Sequence, residues 1–387
     1  MEFGLSATTA DFLIIGGGVA GLSAGAALAK HGRVILLEAE DSLGVHSSGR
    51  SATFSHFGIG GAAVRALTAH SRGFFLSPPD GFDALARVSP ALFIANEAML
   101  PQLDELERIT RSLTNACERL APEDIARFCP AVRTAPDAVV AGFVHLEGLR
   151  LEPHALLQGY VRAIKASGGV VVTGARVARI SPGWRVETEA GVTYEAPIVV
   201  NAAGAWADRI ATIAGVKSLG LTPLRRTIIV FDGPQDLDVR EWPFVKTAVD
   251  YLYFLPDAGR LLASPVDENP DEPGDAQPDE YDMAVAAHRV TEFTTLEVRR
   301  ISHRWAGLRT FAADRVPVAG FAPDAPGFFW LAGQGGYGLQ TAPAMAEIVE
   351  ALITGAAWPE VGVRRGEITP ERLFVKAVPQ IDSMLKP

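Results

Sequence analysis

Gly16-Gly17-Gly18-Val19-Ala20-Gly21 fits G-x-G-x-x-G and lies between a short apolar run, Phe12 to Ile15, and a stretch of small residues from Ala20 onward. A strand, a glycine turn and a helix are what phosphate binding needs. Gly16 permits the tight turn, Gly18 lets the backbone approach a pyrophosphate, and Gly21 lets the helix pack close to the strand. The helix N-terminus then offers unpaired N–H groups and the positive end of its dipole. After Gly32 a second strand, Arg33 to Leu37, ends on Glu38, 17 residues beyond Gly21. That spacing suits an acid that binds ribose hydroxyls. The pattern predicts a dinucleotide site, does not separate FAD from NAD, and leaves a ligand-free βαβ unit as its alternative.

Two further stretches carry candidate chemistry. His46 to Gly61, HSSGRSATFSHFGIGG, is rich in hydroxyls and glycine. It reads either as a loop that hydrogen-bonds a large polar cofactor or as a solvated surface loop. Arg309 stands among apolar residues in WAGLRTF. An unpaired guanidinium there is costly unless a carboxylate meets it, and the planar fork of arginine matches a carboxylate bidentately.

These groups need elements to position them. Phe12 to Ala29 carries no charge and has about the length of a short membrane span. Its five glycines and the absence of Lys or Arg before it argue against a span or a signal peptide. Residues 99–115 place Leu103, Leu106, Ile109 and Leu113 on one helical face, Pro122 opens a short helix, and 151–166 form an amphipathic helix. Strands are expected at Val170–Thr173, Ile198–Asn201, Arg226–Phe231, Tyr251–Leu255, Arg260–Ala263 and Phe328–Ala332, with hairpin-like alternation over Trp184–Tyr194. Val266 to Asp282, rich in Pro, Asp and Glu and without Lys or Arg, reads as a solvated excursion. The ends and middle of the chain are thus βα in character, with mixed helix and antiparallel strand between them. One nucleotide-binding domain assembled from separated pieces, with a second domain built from the insertions, is the expected arrangement.

The 387 residues are too many for one compact core, which favours two domains. A net charge of -10 disfavours nucleic acid or anionic membrane as a partner. Cys117 and Cys129 suggest neither a disulfide framework nor a metal site. A cytoplasmic protein, at most loosely associated with a membrane, is the expectation.

The chain resembles the FAD-dependent D-amino acid oxidase/dehydrogenase family, which includes glycine oxidase and sarcosine oxidase. Within that family it is most similar to the bacterial D-arginine dehydrogenases. The matching stretches, in order, are HSSGRSA (His46–Ala52), VRALTAHSRGFF (Val64–Phe75), VNAAGAWAD (Val200–Asp208), WAGLRTF (Trp305–Phe311) and GQGGYGLQT (Gly333–Thr341). The resemblance implies an α/β fold: a discontinuous Rossmann-like FAD-binding domain (1–80, 150–215 and 318–387) and an α+β substrate domain with a mixed or antiparallel sheet (81–149 and 216–317).

It also implies non-covalent FAD and a small-molecule D-amino acid substrate, with oxygen or a quinone as electron acceptor. Gly16, Gly18, Val19, Ala20 and Gly21 would hold the pyrophosphate, and Glu38 with Ala39 the ribose. Ser48, Arg50, Ser51 and Ala52 would line the flavin. Val177 would reach the adenine end, and Ala203, Gly204 and Trp206 would flank the cofactor. Gly336, Tyr337, Gly338, Leu339 and Gln340 would sit at the pyrimidine edge, where a helix N-terminus meets the negative charge left by hydride transfer. Arg226 and Arg309 would clamp the substrate carboxylate, with Tyr253 as substrate tyrosine and Arg309 also near the cofactor.

The side-chain pocket departs from the D-arginine enzymes. Phe93 stands where they have a Glu, Phe54 and Ile59 where they have a His and a Tyr, and His56 at a Thr position. Such changes leave no counter-charge for a basic side chain, so apolar or aromatic D-amino acids are expected, oxidised to 2-oxo acids and ammonia. His56 is the nearby group that could orient or deprotonate the amine, or it is a packing histidine. Secondary amines such as glycine, sarcosine or proline, 2-hydroxy acids, or a non-enzymatic flavin-binding electron-transfer subunit are the alternatives.

Overall fold

In the computed structural model, residues 7–374 are described; the stretches 1–6 and 375–387, assigned above to the nucleotide-binding domain, lie outside them. Two large sheets dominate. The first has six strands in the order Val170–Val172, Val34–Leu37, Phe12–Ile15, Ile198–Asn201, Phe328–Ala332 and Val318–Phe321. All neighbours are parallel except the last pair. Phe12–Ile15 and Val34–Leu37 are buried at every residue, as strands covered on both faces must be. Helices Val19–Leu28, Pro153–Ala166 and Gly338–Thr354 pack over one face. Gly21 makes the first of these contacts possible: a Cβ there would lie 2.0 Å from the Gly16 carbonyl oxygen.

The second sheet has ten strands. Its path runs from Gln334–Gly335 through Ile301–Phe311, Thr222–Phe231, Arg260–Ser264, Tyr253–Asp257, Phe244–Thr247, Ala91–Ala95 and Ala141–His145 to Cys117–Leu120. Register decides what each face carries. Arg226 pairs with Gly307, Leu224 with Arg309, Tyr253 with Ser264 and Lys246 with Phe93 and Tyr253. Side chains alternate along a strand and directly opposed residues share a face. Arg226, Arg309, Tyr253, Lys246, Phe244 and Phe93 therefore belong to one face. The opposite face, with Ile229, Phe231, Val245, Phe254 and Ala263, packs on the helix Glu280–Phe293 through Ala286, Val290 and Phe293.

The segment Val266–Asp282 is the expected surface excursion over much of its length, but its acids are engaged by arginines. Asp267 accepts the Thr227 N–H at 2.7 Å and its hydroxyl at 3.0 Å. Asp271 and Asp282 pair with Arg225, Glu272 with Arg209, and Asp275 with Arg50. The acids lack basic neighbours in sequence but find arginines across the tertiary fold. Val266 takes φ 56°, a left-handed conformation that costs a β-branched residue about 1–3 kcal/mol. The flanking anchors hold it there. Elsewhere the expected elements form, with small shifts: Leu113 lies beyond the helix ending at Arg111, and the expected Tyr251 strand begins at Tyr253. Among the described residues, no helix is long and apolar enough to cross a membrane.

Candidate active site

A cavity of about 430 Å³ runs between the two sheets. One end lies over the strand ends of the six-stranded sheet. There Gly16 has φ 116°, and a Cβ on it would stand 2.4 Å from the Ala202 carbonyl oxygen, so only glycine fits. Glu38 caps the turn through one carboxylate oxygen, which accepts the Gly17 N–H at 2.6 Å; its other oxygen accepts the Glu40 N–H at 2.9 Å. Ser48 accepts the Val19 N–H at 2.9 Å and so ties the hydroxyl-rich loop to the first helix. Glu40 receives His46 and Arg176 nearby, and the hydrogen bond from His46 leads in holding its carboxyl below the usual range.

Most of the expected cofactor residues line this end. Gly16, Gly18, Val19, Ala20, Glu38, Ala39, Ser48, Arg50, Ser51, Ala52, Val177, Ala203, Gly204 and Trp206 border the cavity. Gly336, Tyr337, Gly338 and Leu339 border it from the start of the helix Gly338–Thr354. Gly21 faces the Gly16 backbone and keeps the packing role that the motif gives it. Two other residues act otherwise than expected. Gln340 is buried and donates to the Thr68 hydroxyl at 2.8 Å, tying two helices together. Arg50 borders the cavity, but its guanidinium donates to the Val45, Ala276 and Ala306 carbonyls and to Asp275, so it fastens loops.

FAD fits this end on structural grounds. The helices Val19–Leu28 and Gly338–Thr354 both begin at the cavity, without a capping side chain of their own and without an acid in the first turn. Such termini leave N–H groups for an anionic or electron-rich ligand. Thr310 Oγ1 and Gln334 Nε2, from cavity-lining residues, are buried without a partner among the described residues. Buried polar atoms of this kind are rare unless a ligand or water meets them.

The other end lies on the functional face of the ten-stranded sheet. Arg226 is 5% exposed; its Nε donates to the Asp267 carbonyl at 2.8 Å and its Nη2 to Glu268 at 3.3 Å. Burial, with Arg309 adding to it, pushes the Arg226 guanidinium down to about 10. Glu268 also accepts from Arg315 at 2.7 Å, which leaves it a bridge between cavity and surface. Arg309 has no ion pair or hydrogen-bond partner for its guanidinium among the described residues. It lies over Gly336, where a Cβ would stand 2.6 Å from Arg309 Cζ. Tyr253 stacks on Phe244 with centroids 5.5 Å apart, and Phe244 in turn stacks on Phe54 at 4.7 Å. Ile59 completes this apolar wall.

His56 is 3% exposed, and burial pushes its imidazole down to about 3. Its Nδ1 accepts the Gly58 N–H at 3.0 Å. A neutral ring whose Nδ1 accepts carries its proton on Nε2, so His56 offers a donor and has no free lone pair for a proton. This geometry speaks against the expected base role. Phe93 is corrected too: it does not border the cavity. It shares the functional face, but His56 lies edge-on to it at 5.3 Å, Gly58 covers its ring tip, and Phe143 stacks beneath at 4.6 Å.

Sequence reasoning missed Lys246, Asp250, Phe244 and Glu268, all of which border the cavity. The alternation of Phe244 and Lys246 with Tyr253 across one pairing was the available signal, and it required the register. Of these, Asp250 and Glu268 place acids at the cavity, where the expected side-chain pocket had no counter-charge for a basic side chain.

The DAO family, described as FAD dependent oxidoreductase, matches residues 11–352. Over 275 residues the chain is 28% identical to FAD-dependent oxidoreductase domain-containing protein 1 of Bos taurus, covering 60% of this chain and 55% of that protein. This chain thus spans little more than half the length of that relative. In structure it is similar to glycine oxidase from Geobacillus kaustophilus, with a TM-score of 0.78 and 22% identity over 91% of this chain and 97% of that one. L-proline dehydrogenase from P. horikoshii gives a TM-score of 0.81 and 20% identity over 95% and 99%. The parallel sheet forms a Rossmann-like FAD-binding domain and the ten-stranded sheet a substrate domain. With a family match over most of its length and a cavity suited to the cofactor, the chain belongs to the DAO family of FAD-dependent oxidoreductases.

Proposed function

We propose that this protein oxidises D-amino acids with apolar or aromatic side chains to 2-oxo acids and ammonia. One observation carries the reading: the unpaired Arg309 guanidinium stands beside Gly336, on the same sheet face as Arg226 and Tyr253. Arg309 is half-buried, and a sheltered cation without a partner among the described residues is a site for a ligand carboxylate. Arg226 is already engaged by Asp267 and Glu268, so Arg309 supplies the free charge and Arg226 a fixed positive neighbour. Phe54, Ile59 and Phe244 form an apolar wall for the side chain, and His56 presents an N–H at its edge.

FAD, when bound, accepts the hydride that leaves the amine carbon. It is held non-covalently in this reading; no cysteine borders the cavity. Gly16, Gly18 and the first helix hold its pyrophosphate, and Glu38 its ribose. The protein supplies position: the clamp fixes the carboxylate, and the wall fixes the side chain relative to the helix start at Gly338. The domain ranges assigned above belong to the same proposal.

A second reading, oxidation of glycine or a secondary amine, takes support from the fold shared with glycine oxidase and L-proline dehydrogenase. Anaerobic mixing with a panel of D- and L-amino acids, glycine, sarcosine and proline, followed by oxygen, decides between them. Fast bleaching by D-Leu, D-Met or D-Phe supports the first reading. Bleaching only by secondary amines or glycine, or much faster bleaching by D-Arg or D-Lys, overturns it. Recolouring on oxygen addition separates an oxidase from a dehydrogenase that needs a quinone.

A further inference from the structure

The substrate end of the cavity holds three cations, Arg226, Arg309 and Lys246, and two anions, Glu268 and Asp250. Arg226 is matched by Glu268, and Lys246 by Asp250 at 2.8 Å. Lys246 is 4% exposed and also donates to the Thr247 carbonyl at 3.2 Å and the Val249 carbonyl at 3.4 Å. Its three donors are therefore spent within the chain. Asp250 differs. Only Oδ1 meets Lys246, and the side chain is 71% accessible. It is accessible while protein surrounds it, because what it faces is the cavity. Burial opposes its ionisation, but Lys246, with Arg226 and Arg309 behind it, outweighs burial and holds the carboxyl below the usual range.

Two groups of opposite sign with open hydrogen-bonding capacity thus face one space: the Arg309 guanidinium and the second oxygen of the Asp250 carboxylate. That pair complements a zwitterion. We propose that Asp250 receives the amino group of the substrate whose carboxylate Arg309 holds, and so selects amino acids over 2-hydroxy acids with the same side chain. The inference rests on the amino acid reading given above. An ammonium group donates a charge-assisted hydrogen bond to a carboxylate, whereas a hydroxyl donates a neutral one, about half as strong. Lys246 keeps Asp250 ionised and fixes its rotamer, which leaves the second oxygen turned to the ligand. His56 does not compete for this role, since its open nitrogen bears a proton.

The test uses ligands that cannot be oxidised. Racemic α-methylphenylalanine and its 2-hydroxy analogue, 2-hydroxy-2-methyl-3-phenylpropanoate, both lack a hydrogen on the α-carbon. Each is titrated into the FAD-loaded protein, with binding read from the visible flavin spectrum and by calorimetry. The wild-type protein is expected to bind the amine at least about tenfold more tightly than the hydroxy analogue. Asp250→Asn is expected to bring that ratio near one by weakening the amine alone. Because Asp250→Asn leaves Lys246 without its carboxylate, the charge-balanced K246M/D250N variant is measured beside it, and the same collapse is expected. Equal binding of the two ligands by the wild-type protein overturns the proposal. So does a ratio preserved in either variant with an unchanged flavin spectrum. Failure of any D-amino acid to bleach the flavin, with the ligand ratio intact, sinks the D-amino acid reading and leaves the role of Asp250 standing.

Discussion

At the glycine-rich end of the cavity, backbone does the work: a turn that only glycine can make, and two helix starts with free N–H groups. At the arginine end, side chains from strands far apart in sequence do it: Arg226 is held by the Asp267–Glu268 stretch, Lys246 by Asp250, and Arg309 has no partner among the described residues. The turn of the first end is local, since Phe12 to Glu38 contains the strand, the glycines, the helix start and the acid that caps it. The second is assembled from residues between 54 and 336. The difference teaches where each end is vulnerable. A backbone cradle fails when a side chain is added, and a side-chain clamp fails when one is removed.

The largest effect is expected from breaking the cradle. Gly16→Val puts a β-branched residue at φ 116° and a Cβ 2.4 Å from the Ala202 oxygen. We expect purified protein without visible flavin absorbance, or no soluble protein; a yellow variant with normal flavin content would show that the turn tolerates side chains.

Next comes the clamp. Arg309→Met removes the unpaired cation and keeps an unbranched side chain beside Gly336. We expect kcat/KM for the best amino acid to fall by roughly a hundredfold, the order expected for a lost carboxylate contact in a sheltered site. Flavin content should stay unchanged. A change of less than about threefold, within the spread of surface pairs, would remove Arg309 from the substrate's surroundings.

The smallest effect sharpens the contrast at His56. As a neutral donor it is worth about one hydrogen bond, so His56→Ala should lower kcat/KM by about tenfold or less. The shape of the pH profile should stay the same, because a ring held at about 3 does not titrate in the working range. A lost ionisation in the variant's profile would restore the base role. Stability gives an independent check. His56 shifts from an ordinary value of 6.5 to about 3 on folding, so the unfolded chain binds the proton first. Its contribution is whole above about pH 6.5 and is lost as pH falls toward 3. His145, pushed by burial to about 4, adds to the same acid lability. Denaturant midpoints between neutral and acid pH should therefore decline less steeply in His56→Ala than in the wild-type protein.

Much of this was legible before any fold was known. Glycine spacing, the strand ending on Glu38 and the helix start after Gly336 follow from short-range rules, and so do most strands of the parallel sheet, though not their order. Arg226 and Tyr253 were singled out only through resemblance, because a lone arginine in a strand says nothing of what it faces; Arg309 stood out by its apolar neighbours as well. Phe93 was misjudged for a related reason. Its face was right, but cover from His56 and Gly58 depends on a loop that periodicity does not place. The pairing of the acidic segment after Val266 was missed because its partners, Arg50, Arg209, Arg225 and Arg226, are remote in the chain.

By itself, then, the sequence determined the phosphate-binding turn and the strand-helix order around it, because those depend on backbone conformations that neighbouring residues dictate. Tertiary structure alone decided which charges meet. Strand register put Lys246 on the face of the arginines, the turn after it brought Asp250 to the cavity, and a distant loop neutralised Arg226 and left Arg309 free. Electrostatic pairing acts through space, and position along the chain does not encode it.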